Sequence, residues 1–444
     1  MNRRCGHTFV LVFTPALLAA SGSVLAGETL YNGIVLPDEW PPKIAELTRE
    51  PMPVPYLENR PEVVPIDIGR QLFVDDFLIE DTTLQRTYHA ARYHPACPVL
   101  KPDRPWERTG ESEKPCAMVF SDGVWYDPQE KIFKMWYMGG YCKSTCYATS
   151  KDGIHWEKPS LDVVSGTNMV LKQSRDSSTV WLDQMETDAA RKYKMLYAVQ
   201  RRDGTEGCDL VLRYSADGIH WGDPLGTAWA PGDRTTFFHN PFRKLWVYSI
   251  RSYASPLGRS RHYAECTDLT QAMNESAKLT HPWTTADRLD PRNPNPAFKD
   301  VPAELYNLDA AAYESLLIGL FSVWQADPGQ KVDKRNEVLI GFSRDGFHWH
   351  RPDRRPFAGV NETDGAWNWG NVQSAGGGCL VVGDKLYFYV SGRGKNRATD
   401  PAVTGLAVLR RDGFASMDAG ETPGTLTTRP LTFNGKYLFV NADA

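Results

Sequence analysis

From Met118 onward, apolar runs of roughly strand length alternate with polar turns, and they recur in sets. The second run of each set aligns with its counterparts: KIFKMWYMGG (131–140), KYKMLYAVQRR (192–202), RKLWVYSIRS (243–252), ESLLIGLFSVW (314–324) and DKLYFYVSGR (384–393). A third run closes each set on an Asp-Gly phrase. The phrase reads SKDGIHWEKP at 150–159, SADGIHWGDP at 215–224 and SRDGFHWHRP at 343–352. A worn copy, RRDGFASMD, runs from 410 to 418, and the copy ending at Asp268 has lost its glycine and tryptophan. The aspartates Asp152, Asp217, Asp268, Asp345 and Asp412 mark five units of similar length. Helical periodicity is almost absent, so the elements expected are β-strands.

A repeated sheet unit of this size cannot bury both of its faces alone, so neighbouring units must stack. Radial stacking of five units predicts an all-β fold, a five-bladed β-propeller, over residues 66–425. In the phrase, Asp bonds the local backbone, Gly takes positive φ at little cost, and Trp packs against the next strand or blade. Several copies of one phrase argue punctuation rather than catalysis, which needs a single constellation. His155, His220 and His348 belong to this turn. Residues 27–65 are proline-rich and read as an extended surface arm. The tail, 426–444, holds two strand-like runs around Asn434-Gly435 and reads as a hairpin or as closing strands.

Arg3 and Arg4, the apolar stretch Phe9–Ala20 and the Val24-Leu25-Ala26 site form a secretory signal over 1–26, with cleavage expected after Ala26 and export to the periplasm or beyond. The apolar stretch is too short to span a bilayer well, and no later segment reads as a membrane span. The net charge of −4, with lysines and arginines scattered, argues against nucleic acid as a partner. Aromatic residues make up 11% of the chain, which suits packed sheets and also sugar-binding surfaces. Cys142 and Cys146, in YCKSTCY, have the spacing to bridge a hairpin. No second close Cys/His pair supports a zinc site, and no metal or other cofactor is expected.

The phrase S-x-D-G-φ-x-W, with φ apolar, resembles that of five-bladed glycoside hydrolases of the invertase, arabinanase and mannoside-phosphorylase types, and the Asp box of sialidases with altered spacing. LFVDD (72–76), PVLKPDRPWE (98–107), FKMWY (133–137) and GDRTTFFHNPFRK (232–244) look like the motifs of secreted proteins labelled family 32-like glycosyl hydrolases. The resemblance covers nearly all of the chain after the signal and implies a propeller acting on carbohydrate. The invertase motifs W-x-N-D-P, R-D-P and E-C are not in place, so roles are assigned by position on the blades.

The innermost strand of each blade lines the axis, and side chains near its start face a pocket. Glycoside cleavage needs one carboxyl group to protonate the leaving oxygen and another to activate water or attack. The candidates are Glu113 at blade one, Asp183 in STVWLDQME at blade two, Asp233 at blade three and Glu304 at blade four. Glu304 is expected as general acid and Asp233 as base or nucleophile, with Glu113 and Asp183 in support; Asp309 is assigned to the turn that follows. Substrate contacts are expected from Glu111, Trp367, Trp369, Asn371 and Gln373, and an anion clamp from Arg201, Arg251 and Arg393. His89 and His94 read as structural, and GGG at 376–378 as close backbone packing. Two other readings share the scaffold: a glycan-binding propeller without catalysis, and a glycoside phosphorylase.

Overall fold

Each apolar run lies in a strand, and the strands of one set pair antiparallel, neighbour to neighbour, in chain order. The computed structural model describes residues 27–108, 114–201, 207–228, 232–271, 273, 279–325, 334–396 and 399–442. Blade one comprises Ala117–Asp127, Ile132–Gly139, Ser144–Ser150 and Met169–Leu171. Blade two comprises Ser178–Leu182, Tyr193–Gln200, Cys208–Ser215 and Thr227–Ala228. Blade three follows with Thr236–Asn240, Leu245–Ala254, Gly258–Cys266 and His281–Thr285. Blade four holds Glu304–Tyr313, Leu316–Trp324 and Asn336–Ser343. Blade five holds Gln373–Ser374, Leu380–Val382, Lys385–Arg393 and Ala402–Arg410. Among the described residues helix is confined to short pieces such as Pro55–Glu58.

The second strands are buried along nearly their whole length, FKMWYMG and LLIGLFSVW without a break. A strand with one wet face would alternate; these do not, because each blade is covered on both faces by its neighbours. The apolar clusters accordingly fall between blades. Trp136, Tyr193 and Met195 join blades one and two, and Tyr137, Tyr387 and Leu406 join blades five and one. Inner strands meet blade one against two, two against three, three against four and five against one, and the inner strand of blade five meets the second and third strands of blade four, which closes the circuit.

The ring is also fastened at every joint by its repeated phrase, each copy bonding back to the preceding blade. Tyr389 of blade five donates to the Gly153 carbonyl at 2.6 Å. Trp136 of blade one donates to the Gly218 carbonyl at 2.7 Å. Trp283 of blade three donates to the Phe347 carbonyl at 2.8 Å. The worn copies keep the joint by other means. Asp268 receives Arg191 of blade two at 2.9 Å, and Asp412 receives the hydroxyl of Tyr313 in blade four at 2.5 Å. Within the three intact copies the Asp carboxylate caps its own turn. Asp217 accepts from the backbone of Ile219 and His220 at 2.8 Å each and from His220 Nδ1 at 2.7 Å.

The two ends of the described chain lock together. Arg92–Tyr93 supplies the outer strand of blade five. Gln85–Tyr88 pairs with Ala415–Asp418, and Ile79–Thr82 with Leu426–Thr428. Leu431–Thr432 runs parallel to Val64–Pro65, so the run before Asn434-Gly435 pairs with the start of the fold, while the run after it lies in no strand. Asn434 instead donates its backbone N–H to Asp67 at 2.7 Å. The proline-rich arm is anchored, not merely draped. Tyr31 stacks on Phe242 at 4.3 Å, Asn32 Nδ2 donates to the Arg344 carbonyl at 2.9 Å, and Leu30, Ile34 and Tyr56 are buried. Gly376 gives the close packing expected of GGG: a Cβ there would lie 2.7 Å from the Ser121 carbonyl oxygen of blade one. The seven described cysteines are all thiols, Cys142 and Cys146 included. The expected signal, 1–26, lies outside the described residues, in which no helix is long and apolar enough to cross a membrane.

Candidate active site at the axial mouth

Inner strands carry their polar residues where they start, and five such starts converge on one end of the axis. Blade two brings Arg175, Asp176 and Ser177 just ahead of its inner strand. The Asp176 N–H donates to the Ala198 carbonyl and the Ala198 N–H to the Ser177 carbonyl, at 2.8 and 2.9 Å, so the strand pairing continues up to the rim. Blade three brings Asp233 and Arg234, and the Ser177 hydroxyl donates to the Asp233 carbonyl oxygen. The two aspartates thus ride on backbone segments that are bonded to each other.

Their environments differ. Asp233 is ion-paired with Arg251, which lies in the second strand of its own blade. Asp176 is half-buried with no ion pair among the described residues. Burial, and then the charge on Asp233, push its carboxyl up to about 7, although Arg234, Arg175 and Lys334 pull the other way. One carboxyl therefore keeps its proton up to about pH 7, beside another that is ion-paired.

The floor is a buried charge network. Asp122 of blade one and Arg175 make a bidentate pair at 2.8 Å, both fully buried, and burial raises the Asp122 carboxyl against the pull of Arg175. Asp309 of blade four accepts from Ser374 of blade five at 2.6 Å and faces Arg234 and Arg261. Its assignment to a turn is corrected: Asp309 lies mid-strand, paired with Leu320, and is buried. Arg234 is fully buried; among the described residues its Nε and Nη1 have no hydrogen-bond partner, and Nη2 lies 3.4 Å from the Ser374 carbonyl. Burial lowers the pKa of Arg234 and Arg261. Around this floor stand Tyr306, whose hydroxyl feels Asp233, Asp176, Arg234 and Arg393, and Tyr141, which feels Arg393 and Asp176.

The expected site residues divide. Asp233 and Glu304 both stand at the rim. The Glu304 carboxylate accepts from the Arg259 backbone N–H at 3.0 Å and from Arg259 Nη1 at 2.8 Å, and that guanidinium stacks 3.6 Å from the Trp324 ring centre. Arg49 of the arm crosses here, donating to the Ala303 and Leu257 carbonyls. Asp183 stands elsewhere. It follows the last residue of the inner strand, Leu182, roughly 20 Å along the chain from Asp176 at about 3.3 Å per residue. There it pairs with Lys194 at 3.0 Å, at the end of the axis opposite the cluster. Glu111 and Glu113 lie outside the described residues.

Of the three arginines expected as a clamp, Arg201 pairs with Asp209 at 2.9 Å and Arg251 with Asp233; Arg393 has no carboxylate among the described residues. Trp367 packs on blade five itself, where a Cβ on Gly392 or Gly405 would meet its ring within 2.4 Å and 2.1 Å, and it meets Tyr93 edge-on at 5.1 Å. Trp369 is half-buried, with Lys395 Nζ 5.7 Å from its ring centre and its Nε1 unpartnered. Asn371 is buried and accepts from Asn336 and Gln373 at 2.7 Å each, leaving Gln373 Oε1 without a donor. Among the described residues no group of three or more His, Cys, Asp or Glu is placed to hold a metal ion.

Sequence reasoning missed Asp176, Arg175, Asp122 and the burial of Arg234. Asp176 had a signal: it precedes its strand by two residues, as Asp233 precedes its own by three.

A cleft of about 740 Å³ lies away from this cluster, between the arm and blades three and four, lined by Ile44, Met52, Trp283, His348, Trp349 and Arg351. Two of its acids are occupied, Glu50 by Arg288 and Asp287 by Arg354, so it offers no comparable carboxyl pair.

No family model matches the chain, and neither does any curated protein. Among solved structures it is similar to an N-acetylgalactosamine deacetylase from F. plautii in complex with blood group B trisaccharide, at 12% identity and a TM-score of 0.48, over 74% of this chain and 95% of that one. A thermostable family-43 glycoside hydrolase is similar at 12% identity and 0.45, over 68% and 94%. So is a structure described under the GH130 family of mannoside phosphorylases containing glycoside hydrolases that target β-1,2 mannosidic linkages in Candida mannan, at 15% and 0.45, over 79% and 99%. Likenesses this distant carry no argument about chemistry; the five-bladed ring stands on its own strand pairing and the site on its own geometry.

Proposed function

We propose that this propeller cleaves glycosidic bonds at its axial mouth, with Asp176 as general acid and Asp233 as general base or nucleophile. The observation that carries the proposal is the opposed state of two aspartates on adjoining blades, one neutral up to about pH 7 and one held by Arg251. Asp176 gives its proton to the departing glycosidic oxygen as the bond from that oxygen to the sugar carbon breaks. Asp233 either takes a proton from the water that replaces the leaving group or attacks the sugar carbon itself. The motif GDRTTFF, by which the chain resembles carbohydrate-active propellers, contributes Asp233 and Arg234. Tyr306, Trp324 and Trp369 supply ring faces near the mouth.

In this reading the acid is Asp176 in place of Glu304. Both groups that contact Glu304 are N–H donors of Arg259, an arrangement for an acceptor rather than a proton donor. Glu304 is then a positioning residue that holds Arg259 against Trp324. The test is a screen of purified protein on plant and algal polysaccharides, with Asp176→Asn and Asp233→Asn in parallel. Sugar release by the wild type, lost in both variants, supports the proposal; full activity in either variant removes it.

A further inference from the structure

Arg393 ends the second strand of blade five and is only 5% exposed. Nη1 donates to the Tyr141 hydroxyl at 3.2 Å, Nη2 lies 3.8 Å from Met118 Sδ, and Nε has no partner. Its strongest electrostatic neighbours are Tyr141, Tyr306 and Cys116, all uncharged at neutral pH because each is held above its ordinary pKa. The nearby carboxylates are engaged elsewhere: Asp122 with Arg175, Asp233 with Arg251, Glu304 with Arg259, and Asp309 between Arg234 and Arg261. Among the described residues Arg393 thus has no carboxylate partner, and a guanidinium buried without a counter-charge is strongly disfavoured.

A second guanidinium with unpartnered nitrogens adjoins it, although Asp309 faces that one. Phe120 adopts a φ of 47°, at an irregularity in the pairing of Met118 to Gly123, and its ring lies 3.8 Å from the guanidinium carbon of Arg234 and 6.0 Å from that of Arg393. Arg234 also has two nitrogens, Nε and Nη1, without partners. Both guanidiniums therefore carry unpartnered nitrogens beside the same phenylalanine ring, and Arg234 also feels the proposed acid Asp176.

We propose that Arg393, with Arg234 and the Tyr141 hydroxyl, forms a subsite for an oxyanion carried by the glycan, a uronic-acid carboxylate or a sulfate ester. A guanidinium suits either, because its parallel N–H groups match two oxygens of a planar or tetrahedral anion. The assignment rests on the glycan-cleaving reading for its substrate, though the subsite stands on its own residues.

Calorimetric titration with four probes tests it: methyl glucuronide, glucose 6-sulfate, inorganic phosphate and neutral methyl glucoside. Wild type, Arg393→Lys and Arg393→Met are compared, with thermal unfolding as the check on folding. At least one charged sugar is expected to bind the wild type tenfold or more tightly than methyl glucoside, and the tighter of the two names the anion. That preference is expected to shrink in Arg393→Lys and vanish in Arg393→Met. Equal binding of charged and neutral sugars by the wild type overturns the subsite and means that Arg393 is answered within the chain. Retention of the full preference in Arg393→Met overturns it too, and if that variant does not fold, an undiminished preference in Arg393→Lys does the same. Phosphate bound more tightly than either sugar overturns the substituent assignment in favour of a free phosphate co-substrate. If the anion preference holds while Asp176→Asn still cleaves glycan, the catalytic reading fails alone.

Discussion

Asp176 and Asp233 lie just ahead of the inner strands of adjacent blades, and the charge of the second helps keep a proton on the first. Burial is the larger cause and the neighbouring carboxylate the next. Because the acid must carry its proton to act, activity on a cleaved glycan is expected to fall as pH rises through about 7. Asp176→Asn and Asp233→Asn are each expected to lower kcat by about 10²–10⁴-fold, the usual contribution of a positioned acid or base. Initial rates against pH, for wild type and both variants, check this.

The same burial has a cost in stability. With its pKa raised in the fold, Asp176 contributes fully below the unfolded value near 4 and loses that contribution as pH rises through about 7. Asp176→Asn removes the penalty, so the variant is expected to be more stable than wild type at pH 8 by on the order of 1–3 kcal/mol. At pH 4 the difference is expected to disappear. Urea unfolding at the two pH values reads both.

Glu304 and Asp183 provide the contrast. Glu304→Gln is expected to lower activity by loosening Arg259 while leaving the alkaline limb where it is, because the proton belongs to Asp176. Asp183→Asn is expected to leave the pH profile unchanged and to cost about 1–2 kcal/mol of stability, since buried Lys194 keeps Glu186 but loses one partner. An alkaline limb that moves in Glu304→Gln contradicts the assignment.

The joints between blades make a prediction about the ring alone. Gly218 has a φ of 77°, and a Cβ there would lie 2.5 Å from the Trp136 ring, so Gly218→Ala is expected to cost about 2–4 kcal/mol. Arg191→Met, which cuts the links to Asp268 and to the Tyr214 hydroxyl, is expected to cost about 1 kcal/mol or less, because the ion pair is partly exposed. Denaturant midpoints of the two variants rank them.

The ring was legible because its logic is local and repeated. The Asp-Gly phrase appears several times, and its chemistry, a capped turn that docks on the preceding blade, depends on few residues beyond its own. The motifs shared with carbohydrate-active propellers were legible as words but not as roles. Asp75 of LFVDD is a buried partner of Arg344, and Glu107 of the PWE motif accepts from Tyr137 and Lys158. Trp136 of FKMWY is a joint. Only GDRTTFF reaches the site. Asp176 was hidden because its neighbours are written elsewhere. SRDSS reads as a wet loop, and the burial and charge that change its aspartate come from other blades. Asp183 misled for the opposite reason: it adjoins an apolar run, but at the end where that run leaves the axis.

The central claim is most directly tested by titrating Asp176 itself. Carboxyl ¹³C resonances of aspartate-labelled protein, assigned by their loss in Asp176→Asn, need no substrate. The account predicts a midpoint near 7 in the wild type, moving down in Asp233→Asn as the neighbouring charge disappears. A wild-type midpoint near 4, or one indifferent to Asp233, would contradict it.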